Sequence, residues 1–590
     1  MIIQELARYY EKLKKDGIGI PEMGYCSTGI SFALVIDSHG NAIQIDDIRN
    51  NDSKKPFPQM MEVPYNGVRT SGIKPAFLWD KAEYVFGISP KDKSEIENKD
   101  DIAWKLDGKG RKKFDSFREC HSAIAEETED EDLKSLARFL ESWAPEKFSS
   151  LSGVSNDVVT GNIVFQILGR NQYLHDKPSM RNYWIEQQAD RSAALATCLV
   201  SGQDDEVMKV HAGIKNIPGA QSSGAPLISF NKDSFCSYGK SKNDQGENAP
   251  IGKQTAFAYA TVLNYLLARE SRQKIRIADS TAVFWAERES RAEAFLGGLL
   301  EPPKGDGFSK EVQVYLESIR KGSMPKELDG KQRFYILGLS PNAARLSVRF
   351  WYVNTVEEIS RRIVRHFEQL EIVRQSEKQH LYPGIWSLLV ETACQHKSEN
   401  IPPNLAGPLM MAILKGTPYP ASLLSILIER LRVEKNPNYY KCALIKAILI
   451  RNYRKEVGMS LDKERTDLAY VTGRLFALLE KIQEESAGGK LNATIKDKYF
   501  ASASTHPKMI FPLLIRLSQN HQKKLKSEKP GLAVNRQKEI QAIMGKIDSF
   551  PSYLKLEDQG LFAIGYYHQY QNFFIKRETE TIETNDENQE

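Results

Sequence analysis

The chain has 590 residues, 41% of them apolar and 27% charged, with a net charge of +5 and a pI of about 8.5. These values describe a globular protein with more than one domain and ample core. They exclude a membrane-spanning chain, because no apolar run approaches the length of a bilayer core, and so small a charge excess does not by itself imply a polyanionic partner.

The six cysteines, Cys26, Cys120, Cys198, Cys236, Cys394 and Cys442, are scattered without a CxxC pair. They read as reduced thiols of a cytoplasmic protein, not as a disulfide framework or zinc site. No HExxH occurs among the ten histidines. Cys120-His121 and Cys394-x-His396 supply two ligands each, too few for a metal. The N-terminus carries Glu5 and Glu11 and no apolar core of a signal peptide. No metal or cofactor is expected.

Ile3, Leu6, Tyr10 and Leu13 recur at helical spacing, so Ile2 to Lys15 is expected to be a helix ending at Asp16-Gly17. Ile30 to Ile36 reads as a strand, Asp37 to Asn41 as a turn and Ala42 to Ile48 as its hairpin partner. Met60 to Val63 is a third strand, and Phe77 to Val85 contains a short helix. Arg69, Thr70, Ser71 and Lys74 precede it with two cations and two hydroxyls, a polar contact loop or an ordinary exposed turn. Arg111 to Ala125 and Glu131 to Trp143 read as helices, with Glu126 to Asp132 a solvated acidic link. Asn162 to Leu168 is a strand, and Ser179 to Val200 is expected to be largely helical.

The stretch from His211 to Gly252 is long, polar and rich in Gly, Ser, Asn and Gln. Loops of this length inside a domain are uncommon and usually functional or disordered. Phe230, Phe235 and Tyr238 argue against disorder. Pro226 to Phe230 is an apolar island that could form a strand. Gly219 to Gly224 begins like a P-loop, but Ala225 and Pro226 replace the required Lys and Ser/Thr. Ser222 misses the nucleophile elbow by one residue. Amides and hydroxyls mixed with Lys215, Lys232, Lys240 and Lys242 suit phosphates and base edges. A rigid surface loop capping its own backbone fits the same residues.

Gln254 to Glu270 is a helix. Ala282 to Ala286 and Phe334 to Gly338 are buried strands, and Arg345 to Trp351 alternates, placing Arg345, Ser347 and Arg349 on one face. From Val356 onward the pattern is helical almost throughout: 356–374, 405–415, 420–434, 439–455, 463–484, 494–503, 508–526, 532–548 and 557–576. Short loops between these segments indicate packed antiparallel helices. Residues 490–546 hold twelve Lys/Arg against three acids, a surplus of nine, larger than that of the whole chain. Such a concentration is the footprint of a polyanion or a solubilising face. The expected fold is an α+β N-terminal region, with mixed and antiparallel sheets and long polar loops, followed by an all-α C-terminal bundle. The divisions are 1–355, 356–458, 459–576 and a disordered acidic tail 577–590. No catalytic constellation survives inspection.

A set of short segments in a fixed order carries a resemblance. It includes Ile30-Ser-Phe-Ala-Leu-Val-Ile36, Arg69-Thr-Ser-Gly72 with Phe77-Leu-Trp-Asp-Lys81, Gly219-Ala-Gln-Ser-Ser-Gly-Ala225 with Ser229-Phe-Asn231, Ser237-Tyr-Gly239 and Asn248-Ala-Pro250. It continues through Val283-Phe-Trp-Ala-Glu287, Leu337-Gly-Leu-Ser-Pro-Asn342, Met459-Ser-Leu-Asp462 and Gln559 to His568. Over nearly its full length the chain resembles the large subunit of the type I-C CRISPR Cascade, an RNA-guided surveillance complex. The resemblance implies a non-enzymatic subunit that recognises the PAM in duplex DNA, aids duplex opening and R-loop formation, and helps recruit a helicase-nuclease. The implied partners are CRISPR RNA, the backbone and guide-processing subunits, small subunits, the target duplex and the displaced strand. The alternative is a scaffold that binds the guide-RNA complex and single strands without reading sequence. On this reading Gln221, Asn231 and Asn248 reach base edges, and Arg69, Lys74, Lys232 and Lys240 hold phosphates. Thr70, Ser71, Ser222, Ser223 and Tyr238 complete the duplex-contacting set. Lys508, Arg516, Lys523 and Lys524 steer the displaced strand. The family can also make a small subunit from an internal start, for which Met459 is the candidate. Codons for Glu456-Val457-Gly458 can spell a ribosome site ahead of it.

Overall fold

The computed structural model describes residues 1–51, 56–67, 72–91, 102–187, 195–277, 280–288, 292–300, 314, 317–319, 321, 329–488 and 491–574. It divides into two compact units. One comprises Met1–Asn216 with Gln221–Ala268, the other Ile217–Ala220 with Arg269–Glu590.

In the first unit Tyr25–Ile30 (β1), Phe32–Ile36 (β2), Ala42–Asp47 (β3), Gln59–Pro64 (β4), Trp79–Lys81 (β5), Ser89–Pro90 (β6), Trp104–Lys105 (β7) and Asn162–Ile167 (β8) follow in order. A four-stranded sheet runs β3-β2-β8-β5, and only its β2–β8 pair is parallel. All five residues of β2 are buried, as the uninterrupted run Phe-Ala-Leu-Val-Ile requires of a strand covered on both faces. The expected single strand over 30–36 is instead two. The chain changes sheets at Ser31, whose N–H donates to Asn162 O at 3.0 Å, while β1 pairs with β4.

The Gly108–Thr128 and Glu131–Ser142 helices pack together. The acidic link between them is not a free solvated loop. Glu126 to Thr128 close the first helix, and Asp130 caps the second by accepting from the N–H groups of Asp132 and Leu133. Lys177 pairs with Asp130 at 2.8 Å and with Asp132 at 2.7 Å. The helix expected over 179–200 spans Pro178–Gln187, and Leu195–Thr197 (β9) then pairs with Asp204–Glu206 (β10). The Lys253–Leu266 helix packs against Ile2–Lys15.

The second unit begins with an antiparallel sheet of Lys274–Ile277 (β11), Ser280–Ala286 (β12), Arg333–Asn342 (β13) and Arg345–Thr355 (β14), in that order. Phe284, Phe334, Ile336, Phe350 and Tyr352 join the core of the helices that follow. The residues one position away, Trp285, Tyr335 and Trp351, form an aromatic cluster with ring centroids 5.3–5.8 Å apart, in which Tyr335 stacks on both tryptophans. Strict alternation in β14 fails at a bulge: Gly338 opposes Phe350 and Leu339 opposes Val348, leaving Arg349 as the extra residue. Arg349 donates from its Nε to Ser340 Oγ at 2.5 Å, and Ser340 is the cross-strand partner of Ser347, so the bulge keeps Arg349 at the face shared by Arg345 and Ser347.

Helices Val356–Leu370, Ala406–Lys415, Ala421–Glu434, Tyr439–Tyr453, Leu468–Ser486, Ile495–Ala503, Pro507–Glu528, Pro530–Met544 and Leu556–Asn572 follow, each where the sequence pattern places one. An α+β N-terminal region followed by a helical C-terminal part is therefore the architecture. Among the described residues no helix is long and apolar enough to cross a membrane. The tail expected over 577–590 lies outside the described residues.

Candidate nucleic-acid interface

The long loop is built mostly on itself. Ile214 and Ala225 exchange two backbone hydrogen bonds of 3.0 Å, a bridge just ahead of the apolar island, which itself forms no strand. At this pinch a Cβ on Gly224 would lie 2.9 Å from the Gly213 backbone, and Gly224 has φ +99°. Its glycine therefore serves close approach of the chain to itself, where the sequence suggested approach to a ligand.

From that pinch the loop projects side chains outward. Gln221, Ser222, Ser223, Asn231, Lys232, Tyr238 and Lys240 are all exposed. Gln221 opens a turn closed by Gly224 N–H donating to Gln221 O at 2.9 Å. Asn231 and Lys232 lead into the short 3₁₀ turn Asp233–Phe235. Asn248 differs from this set. Its Oδ1 accepts from Ser237 N–H at 3.1 Å, and its Nδ2 donates to Asp244 O and Gln245 O at 3.4 Å. Its amide staples the loop together. Lys240 is bound to Glu247 at 2.6 Å, which raises its pKa through the hydrogen bond and charge of that carboxylate. Between Gln221 and Pro250 three lysines (232, 240, 242) face three acids (Asp233, Asp244, Glu247), so the segment is electrically neutral. Among its cations Lys232 has no ion pair in the described structure, whereas Lys242 approaches Asp233 at 3.9 Å.

Lys74 is exposed on a separate segment of the same unit, held through its backbone carbonyl by Asn66 Nδ2 at 3.3 Å. Arg69, Thr70 and Ser71 lie outside the described residues. The same unit carries a further basic cluster: Lys109, Arg111 and Lys112 are exposed in the first turn of the Gly108–Thr128 helix, just after its Asp107 cap. Its signal is in the sequence, since a first turn ordinarily favours acids.

In the second unit Lys508, Arg516, Lys523 and Lys524 are all exposed on the Pro507–Glu528 helix. Helical spacing places them on the half opposite buried Phe511, Leu514, Ser518 and Leu525. Arg516 and Lys523 are seven residues apart and so lie along one line. Lys524 reaches Glu528 only at 3.8 Å. Two other cations of the basic stretch are structural. Arg536 is clamped by Glu485 at 2.6 Å and Glu539 at 2.7 Å, and Lys546 by Glu464 at 3.2 Å. Four exposed cations of the basic stretch thus share the Pro507–Glu528 helix, while Lys498 and Lys538 are exposed on the helices either side of it.

Four histidines elsewhere are perturbed by packing. Burial pulls His121, His175 and His211 down to about 4 and His568 to about 3. Among the described residues no group of three or more His, Cys, Asp or Glu could hold a metal.

No curated protein matches the chain. A family model, CRISPR-associated protein (Cas_Csd1), matches residues 6–574. The match takes in the β-sheets, the long loop and the helical region alike, and on it the chain belongs to the Cas_Csd1 family of CRISPR-associated proteins, a family of CRISPR-Cas large subunits.

Proposed function

We propose that the chain is the non-catalytic large subunit of a type I-C Cascade, working in the cytoplasm. Guide RNA pairs with the target strand. This subunit senses the short flanking duplex motif, the PAM, aids strand separation and R-loop formation, and helps recruit a helicase-nuclease. Its partners are CRISPR RNA, the backbone and guide-processing subunits, small subunits, the target duplex and the displaced strand. The observation that carries the reading is the loop of residues 221–240. Its own hydrogen bonds fix its backbone, while Gln221, Ser222, Ser223, Asn231 and Lys232 remain exposed. Phosphate contacts position a protein, and amide contacts to base edges specify sequence. Lys74 with Arg69, Thr70 and Ser71 forms the second duplex contact, and the Pro507–Glu528 face takes the displaced strand.

The neutrality of the 221–250 segment favours a second reading, a scaffold that engages nucleic acid through the helical face without reading sequence. Binding of the assembled complex to duplexes with randomised flanks, at one stated salt concentration, separates the two. Selective enrichment that is lost in Gln221→Ala and Asn231→Ala makes this subunit the PAM reader. Enrichment that survives both moves the reading residues elsewhere, and no enrichment in either flank leaves the scaffold.

A further inference from the structure

We propose that Tyr238 is a stacking platform for one unpaired base of the bound nucleic acid, an inference that rests on the reading of the 221–240 loop as a nucleic-acid contact. Tyr238 has φ +55° and Gly239 φ +76°, and Lys240 N–H donates to Ser237 O at 3.1 Å across them. Both central residues of the turn are therefore left-handed, the type I′ pattern. Asn, Asp or Gly satisfies the first of these positions without strain, whereas a bulky aromatic is an outlier there.

The ring gains nothing locally in return. Tyr238 is 98% exposed, the most open large hydrophobic side chain among the described residues. A strained residue persists where its surroundings over-determine it, and such residues cluster at binding sites. Here the surroundings do so. Ser237 N–H is held by Asn248 Oδ1 at 3.1 Å, Lys240 by Glu247 at 2.6 Å and Lys242 N–H by Asp233 Oδ1 at 3.0 Å. Ser241 and Asp244 cap each other reciprocally just beyond the turn. Three of these interactions hold the backbone on which the ring stands, the Lys240–Glu247 ion pair ties the neighbouring side chain, and none touches the ring.

Charge narrows the ligand. With three lysines matched by three acids, the segment is no phosphate trap. What its apex offers is a flat π face and a phenolic hydroxyl. Every nucleobase has a matching face, and stacking on an aromatic side chain tolerates any sequence. In a duplex those faces are taken by neighbouring base pairs, so the acceptor is a base that has left its pair.

The test uses the assembled complex with guide RNA and target DNA carrying 2-aminopurine at single positions through the target edge and its flank. The variants are Tyr238→Phe, Tyr238→Ala and Tyr238→Asn. Asparagine suits the left-handed position, so it removes the ring while keeping the turn. The expected result is one position whose fluorescence is quenched by the wild type and by Tyr238→Phe but not by Tyr238→Ala or Tyr238→Asn. Affinity should fall roughly five- to hundredfold in the last two. Unchanged quenching and affinity in Tyr238→Asn overturn the proposal. If Lys232→Glu and Gln221→Ala still weaken binding in that case, the loop remains a DNA contact and only the stacking role falls. If they too change nothing, the loop reading falls with it. Failure of Tyr238→Asn to enter the complex marks a protein contact and also overturns the proposal.

Discussion

Gly473 and Gly565 are reciprocal points of contact between the Leu468–Ser486 and Leu556–Asn572 helices. A Cβ on Gly473 would lie 2.1 Å from Phe562 O, and one on Gly565 would lie 2.2 Å from Tyr470 O. Each helix thus presents a glycine to the other's backbone, with no room for a side chain at either point. Around the crossing, Tyr470 OH meets His568 Nδ1 at 3.0 Å and Tyr566 OH donates to Glu480 at 2.7 Å.

Alanine at either glycine should force the helices apart. Overpacking of this kind costs about 1–3 kcal/mol, and here the obstacle is backbone, which cannot swing aside as a side chain would. Chemical denaturation should show Gly473→Ala and Gly565→Ala each losing stability in that range. The double variant should lose less than the sum, since one separation relieves both clashes. Two fully additive losses would contradict the shared crossing.

Acid should weaken the protein through its buried histidines. His211 meets Tyr259 OH at 2.8 Å, His366 meets Tyr419 OH at 2.6 Å, and His568 meets Tyr470 OH. Burial holds His211 near 4, His568 near 3 and His366 well below its ordinary value, with Arg451 adding to His366 and Lys446 and Arg465 to His568. Unfolding returns each to about 6.5. The unfolded chain then binds more protons, so the stabilisation is complete above about pH 6.5 and is lost as pH falls toward 4. Glu480 works in the opposite sense, since burial raises its carboxyl. The urea midpoint should therefore fall steadily between pH 6.5 and 4, and His366→Gln should flatten the slope.

The basic helix face and the clamped arginine should separate cleanly. Charge reversal at Lys508, Arg516, Lys523 and Lys524 should leave the unfolding midpoint unchanged, because all four side chains are exposed. It should weaken single-strand binding by the complex and lower the salt slope by about 0.7 per phosphate contact removed. Arg536→Ala should do the reverse. It strips two carboxylates of their partner in a site where Arg536 is only 12% exposed, so it should lower stability with little effect on the salt slope. Equal effects on both readouts would undo the distinction.

A product starting at Met459 should be abolished by Met459→Ala without harm to the full chain, since that side chain is 52% exposed. The short product would carry the helices from Leu468 to Asn572, but one of them would lose cover. Gly560 packs beside Ile445, Leu449 and Leu424, which lie ahead of Met459. Purified alone, residues 459–574 should therefore self-associate or bind an apolar dye more than the full chain does. A short band that persists in Met459→Ala would place the start elsewhere.

The helices from Val356 to Asn572 were legible in the sequence because the 3.6-residue period of their apolar positions is a local property. The same holds for β2, a run of five apolar residues, and for the charge surplus of residues 490–546. The chain's own residues also supplied the polar loop and its candidates. What they could not show was pairing between distant positions. The switch of sheets at Ser31 depends on Asn162, and the break in the β14 alternation depends on a bulge opposite Gly338. Lys240 and Arg516 look alike as letters, yet one is spent on Glu247 while the other stands exposed. Asn248 and Gln221 look alike as amides, yet one is stapled into the loop and the other is open to solvent. Periodicity and composition fix which elements form, because hydrophobic burial acts through spacing along the chain. Only the tertiary structure decides which polar groups remain available, because availability depends on what the fold brings within hydrogen-bonding distance.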